Sequence, residues 1–361
     1  MHYPKLFHKL VSIDDAVRLV LEKIDLKPLG VEEVSISEAL YRVLARDIYS
    51  PVDHPPFDRS EVDGYAVKSI HIASSTEINP SRLKITGVVK PGDTGGGLNC
   101  EDGAVRVSTG AIIPSGCDSV VMEEYTELEG DIVVVYRPSA PGENISTCGS
   151  DVSAGDFILP AGTMLRHEHV AILAGLGISR VLVYRKPRIA IYSTGDELVE
   201  PGKPLVLGRV YDVNGYLIEG FLRELGAIAE YRGVLPDDYK VLRDKVEESL
   251  EQYDVVFTSG GTSAGELDLV YRVFGDVGEI IVHGLKSKPG KPTVIATSRG
   301  KLLVGLPGFP LSCYMILVRV VKPLIARLTG LKYVEERVWV KLPFKVRKHV
   351  GKTWLIPSIL V

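Results

Sequence analysis

Three Gly/Pro-rich turns in the second half of the chain constrain its fold more than any other feature: Ser259-Gly-Gly-Thr262, Lys288-Pro-Gly-Lys-Pro292 and Leu306-Pro-Gly308. Each abuts a short apolar run (Asp254–Thr258, Thr293–Ala296, Leu302–Gly305) that reads as a buried strand. Open α/β sheets bind ligands beyond the ends of their parallel strands. Glycine lets the backbone come close to an anion with its N–H groups directed at it. Lys288 and Lys291 in the middle turn point to phosphate as that anion. Around these turns, Arg188–Tyr192, Asn214–Leu225, Ile228–Leu235, Tyr239–Leu250 and Asp254–Thr258 alternate strand and helix patterns, which predicts a parallel sheet with helices on its faces.

The chain has 361 residues, enough for two to four domains. With 45% hydrophobic and 24% charged residues it has a globular composition, and a formal charge of −4 argues against a general nucleic-acid binder. No apolar stretch reaches spanning length, and Asp14 and Asp15 interrupt any secretory signal, so neither a membrane nor export is expected and the cytoplasm is the expected location. Four cysteines without a C-x-x-C pair (Cys100, Cys117, Cys148, Cys313) predict reduced, buried thiols.

Ser12 caps a helix whose apolar stripe runs Ile13, Ala16, Val17, Val20, Leu21, Ile24, and a second short helix is expected from Ser37. Short β-branched runs then mark residues 51–137 as a β-rich domain, and 138–178 return the chain, with a helix from His167 ending at Gly177. The expected division is 1–50 with 138–178, then 51–137, then an α/β domain at 179–330. Residues 331–361, with a last helix before them from Pro310 to about Leu328, read as an incomplete C-terminal β domain.

Beyond the strand Arg188–Ser193, Thr194-Gly195-Asp196-Glu197 sets two carboxylates where a crevice forms, to hold a divalent cation or a polar ligand; a local turn cap is the other reading of Asp196. Asp268, beside the Ser259-Gly260-Gly261-Thr262 turn, suits a Mg²⁺ that bridges protein and phosphate. Lys288-Pro289-Gly290-Lys291 is not a Walker loop, because Pro292 stands where Ser or Thr is needed. Asp58, Ser60 and Asp63 lie in a loop that reads first as structural; Thr109-Gly-Ala111 and Gly142 to Asp151 read the same way. His167 and His169, two apart on a helix, splay too far for a metal pair.

The run Phe57-Asp-x-Ser-x-x-Asp-Gly-Tyr-Ala-Val67 resembles a signature of the MoeA family, the molybdopterin molybdenumtransferases, related to the C-terminal part of gephyrin. Thr109-Gly-Ala-x-x-Pro114, Gly142-x-Asn144, Gly149-x-Asp151, Ser193-Thr-Gly-Asp-Glu-Leu198 and the three turns, with Pro307 and Gly308 in the last, follow in the family's order over roughly residues 10–330. The resemblance implies an elongated, multidomain chain with a three-layer α/β/α molybdopterin-binding domain, a β-rich domain and a short C-terminal β segment. It implies insertion of molybdate or tungstate into adenylylated molybdopterin with Mg²⁺ and release of AMP. It also implies a homodimer, formed through 1–50 and 138–178, with a cleft shared between subunits, and molybdopterin adenylyltransferase as a partner. Carried over by motif, Glu197, Asp237, Asp268 and Lys288 serve one side of the cleft, Glu197 and Asp268 with the metal, while Asp58, Asp63, Thr109 and Asp151 complete the neighbour's site. The chain departs from the family at Gly284, where some members carry a lysine and Lys286 is the nearest replacement, and in a shorter C-terminal β region.

Two other functions stay open. Single-domain molybdopterin adenylyltransferases resemble the α/β part but lack the Phe57–Val67 region. A non-catalytic, gephyrin-like scaffold is expected to lose acidic positions, and Glu197, Asp237 and Asp268 are all present.

Overall fold

A computed structural model describes residues 10–261, 269–335, 338–341 and 351–358. It separates into two compact units. One comprises 1–46, 160–170 and 180–361; the other comprises 47–159 and 171–179.

The larger unit is built on a six-stranded sheet in the order Ile228–Leu235, Arg188–Thr194, Val255–Ser259, Lys301–Leu306, Val294–Ser298, Glu279–His283. The first four strands are parallel, as expected from the strand–helix alternation. Val294–Ser298 instead runs antiparallel to Lys301–Leu306, and Glu279–His283 antiparallel to Val294–Ser298. The physical reason is the two-residue link Arg299-Gly300, with φ of 54° and 74°, which makes a tight hairpin where a parallel crossover needs a dozen or more residues. This correction matters for the site. The turn that precedes Val294–Ser298 lies at the same sheet end as the turns that follow the parallel strands.

Alternate strand residues enter opposite cores. Ile189, Ile191, Val255, Phe257, Leu302 and Val304 pack under Asn214–Glu224, the chain end of helices from Pro310 to Thr329, and the helix Ile13–Lys23. Ala190, Tyr192, Val256 and Leu303 pack under Tyr239–Gln252 and Leu269–Val277. The result is the three-layer α/β/α architecture. Ser12 caps the first helix, its hydroxyl accepting from Asp15 N at 3.1 Å. The helix expected from Ser37 is only a 3₁₀ turn, Ile36–Glu38: Tyr41 takes a φ of 58°, and Val43 and Leu44 turn inward to bridge Met164 and Val183. The last helix is interrupted by a π turn at Leu317–Val321, just before Pro323 removes a backbone donor, and Gly330 ends it with a φ of 74°.

The smaller unit holds a second six-stranded sheet, ordered Ser119–Met122, Gly64–Val67, Ala104–Val107, Ser81–Val89, Ile132–Val135, Thr126–Glu129. Its pairs are antiparallel except Ser81–Val89 with Ala104–Val107. Here the thiol expectation is corrected. Asn99 bridges Ser115, which brings the adjoining loops side by side, and Cys100 and Cys117 form a disulfide with Cα atoms 5.1 Å apart. Cys313 is buried and free as expected, whereas Cys148 is exposed. No described helix is long and apolar enough to cross a membrane.

Candidate active site

At the sheet end where these turns lie, the larger unit encloses a cavity of about 820 Å³. Its wall includes Thr194, Gly195 and Glu197 from the first turn, Ser259, Gly260 and Gly261 from the second, Pro292 from the lysine turn, and Pro307 and Gly308 from the last. Glycine is required where the turns meet. Gly260 and Gly261 take φ of 95° and 60°, and a Cβ on Gly260 would collide with the Thr194 carbonyl oxygen. A Cβ on Gly308 would lie 3.5 Å from the Gly260 Cα, so these two turns touch.

Two residues that the sequence reading passed over hold the turns together. The buried Asn214 amide donates to Ser259 Oγ at 2.7 Å, to Gly308 O at 2.8 Å and to Pro307 O at 3.4 Å, which ties the second turn to the last. Asp212, also buried, accepts from Ser193 Oγ at 2.7 Å, Tyr231 Oη at 2.6 Å and Asn214 N at 3.1 Å. It thereby joins the end of the central strand to the start of the helix Asn214–Glu224. With burial, the Asp212 charge pushes the Tyr231 phenol far above its ordinary range. The only sequence signal was Asp212-x-Asn214 ahead of a helix, a pattern that ordinarily marks a cap.

Acidic groups crowd the same edge. Asp237 lines the cavity with Glu197, and Asp237 N donates to Asp196 Oδ1 at 3.3 Å. Desolvation at the wall first, and then the charges of Asp196 and Glu197, push the Asp237 carboxyl above its usual range, against a hydrogen bond from the Asp196 backbone. Among the described residues no three such groups form a ready metal cage. An all-oxygen donor set with one or two carboxylates nevertheless fits a hard cation that takes its other ligands from water and substrate phosphate. Thr262 and Asp268 lie outside the described residues.

Lys288 and Lys291 are exposed and, with Pro289 and Gly290, stand outside the cavity lining. Asp58, Asp63, Thr109 and Asp151 all belong to the smaller unit, where they lie in neighbouring loops. Asp58 accepts from Cys148 N at 2.7 Å, Asp63 accepts from Thr109 N at 2.8 Å, and Asp151 lies 3.9 Å from Arg59.

The fold and this turn-lined cavity define a three-layer α/β domain with a ligand cavity at one sheet end, in a chain that also holds a β-rich unit. Residues 11–177 match the MoeA N-terminal region (domain I and II), and residues 190–327 match a probable molybdopterin binding domain. A molybdopterin molybdenumtransferase from Haemophilus influenzae is 36% identical over 95% of this chain and 84% of its own length. The corresponding protein of a Nostoc species is 34% identical over 96% and 81%. The crystal structure of a molybdopterin biosynthesis MoeA protein from Pyrococcus horikosii superposes with a TM-score of 0.74 at 38% identity, covering 89% of this chain and 81% of that one. The chain belongs to the MoeA family and is a transferase of molybdenum cofactor biosynthesis.

Proposed function

We propose that this protein inserts molybdate, or tungstate, into adenylylated molybdopterin and releases AMP. The observation that carries this reading is the convergence of Thr194–Glu197, Ser259–Gly261, Pro292 and Pro307–Gly308 on one cavity. Glycine turns let a ligand come close to the backbone, which suits phosphate oxygens, and the volume suits a ligand of nucleotide size. Asn214 and Asp212 hold the turns in register, so that the phosphate meets a preformed cradle.

Glu197, with Asp268, would hold a Mg²⁺ shared with the substrate phosphate; when bound, that cation supplies charge neutralisation for the departing group. Asp237 and Asp196 orient donors of the pterin or bound water. Lys288 and Lys291 attract the oxyanion to the mouth of the site. The dithiolene sulfurs of the substrate are already good nucleophiles, so positioning and electrostatics suffice and no protein side chain forms a bond.

The rest of the reading follows the family. The protein works in the cytoplasm as a homodimer in which Asp58, Asp63, Thr109 and Asp151 complete the partner's site, and it receives its substrate from a molybdopterin adenylyltransferase. The four-part division, with 1–50 and 138–178 in dimerisation and 331–361 as a C-terminal β part, belongs to the same proposal. Incubation with adenylylated molybdopterin, Mg²⁺ and either oxyanion tests it: AMP release should need the oxyanion and be suppressed by Glu197→Ala. Equal release without any oxyanion rules out insertion.

A further inference from the structure

We infer that Trp354 is a positioning residue for Lys288, and that the segment Thr353–Leu355 fixes where the lysine turn presents its charge. This rests on the reading above, in which Lys288 attracts the oxyanion. The run Gly284–Lys288 is held by two distant parts of the chain. Val11 donates its N–H to Gly284 O at 3.3 Å and accepts from Lys286 N at 2.7 Å. Thr353 N donates to Lys286 O at 2.8 Å and Leu355 N to Lys288 O at 3.0 Å, so Thr353–Trp354 lies parallel to Ser287–Lys288. This register sets the Lys288 ammonium 5.1 Å from the centroid of the half-buried Trp354 ring.

The choice of an aromatic partner has a chemical consequence. A carboxylate would neutralise the ammonium, whereas the face of an indole holds it through the ring quadrupole and leaves the full positive charge for an anion. A long, flexible lysine loses substantial rotamer freedom when it is fixed. With the side chain already restrained on the ring, less of that loss falls on the binding step. Lys288 lies four residues before Pro292, which lines the cavity, in the turn that leads into Val294–Ser298 at the same end of the sheet. The ligand class is a tetrahedral dianionic oxyanion, and molybdate itself is the probe.

The test uses the full chain with Trp354→Leu, which keeps apolar bulk but removes the ring, and Trp354→Phe, which keeps a ring. Two quantities are read: the acetylation rate of the Lys288 amine without substrate, by peptide mass spectrometry, and KM and kcat for molybdate in AMP release. Trp354→Leu should raise the acetylation rate and the molybdate KM by about two- to fivefold, the size of a partly exposed cation–π contact, with kcat unchanged. Trp354→Phe should stay near the parent in both. On a Lys288→Ala background Trp354→Leu should add nothing to KM. Unchanged acetylation in Trp354→Leu, a fall in its KM, or a KM effect that persists without Lys288 each overturn the inference. If acetylation rises as expected but Lys288→Ala leaves KM untouched, the positioning contact stands and the oxyanion role of Lys288 fails.

Discussion

In the β-rich unit Asp53, Asp58 and Asp63 each accept a backbone N–H from a distant loop, at 2.7, 2.7 and 2.8 Å. In the α/β unit Glu197 and Asp237 instead line a cavity, and burial, then the charges of Asp196 and Glu197, hold the Asp237 carboxyl above its ordinary range. The first set closes loops: a carboxylate that takes a backbone donor satisfies a group that would otherwise go unpaired. The second set is repulsive as it stands and gains from any cation or donor that arrives. Aspartates of similar sequence appearance therefore differ in whether their partners come from the fold or from a ligand.

The largest way to break this comparison acts on the turn backbone. Gly260→Ala sets a Cβ against the Thr194 carbonyl at a φ of 95°. It should lower the stability of the α/β unit by about 2–4 kcal/mol in denaturant titration and abolish AMP release. A stable, active variant would show that the turns do not meet as described.

Next comes Asp58→Ala, which strips Cys148 N of its acceptor. A loss of about 1–2 kcal/mol is expected, and less for Asp58→Asn, whose amide oxygen still accepts. If both variants keep full stability, the loop-closing role is wrong.

Asp237→Asn should go the other way. A carboxyl whose folded pKa is raised contributes stability that is fully present below its unfolded value, near 3.8, and is lost as pH rises through the folded value. The asparagine variant should therefore melt slightly higher than the parent at neutral pH, with the gain vanishing below pH 3.8. A lower melting point at neutral pH would remove the contrast between the two acidic sets.

The smallest effect concerns the two free thiols. Burial pushes the Cys313 thiol up to about 12, so iodoacetamide should leave it untouched in the native protein at neutral pH. Cys148 is exposed, and partial desolvation, then Asp53 and Asp58, raise its thiol more modestly, so it should alkylate slowly. Labelling of Cys313 at the rate of Cys148 would contradict the packed core beneath the helix Pro310–Ile316.

The turns were legible because their demands are local. Gly260, Gly261 and Gly308 stand where a side chain would strain or crowd the backbone, and the apolar runs beside them name the strands. The layer order followed from the alternation of those runs with amphipathic segments. The direction of Val294–Ser298 was not legible from apolar content, which is the same for either direction, although the Arg299-Gly300 link carried the information. The Cys100–Cys117 pair depends on two loops meeting through Asn99 and Ser115, a nonlocal event that spacing cannot encode. Asn214 looked like a helix start because its role lies in three partners far away in sequence.

The claim on which everything else depends is that the glycine turns cradle the phosphate of a pterin substrate. A crystal structure of the protein soaked with adenylylated molybdopterin measures this directly. Phosphate density against the backbone of Gly260, Gly261 and Gly308, with Glu197 facing it, is the result expected. Ordered substrate bound elsewhere, with these turns bare, would contradict it.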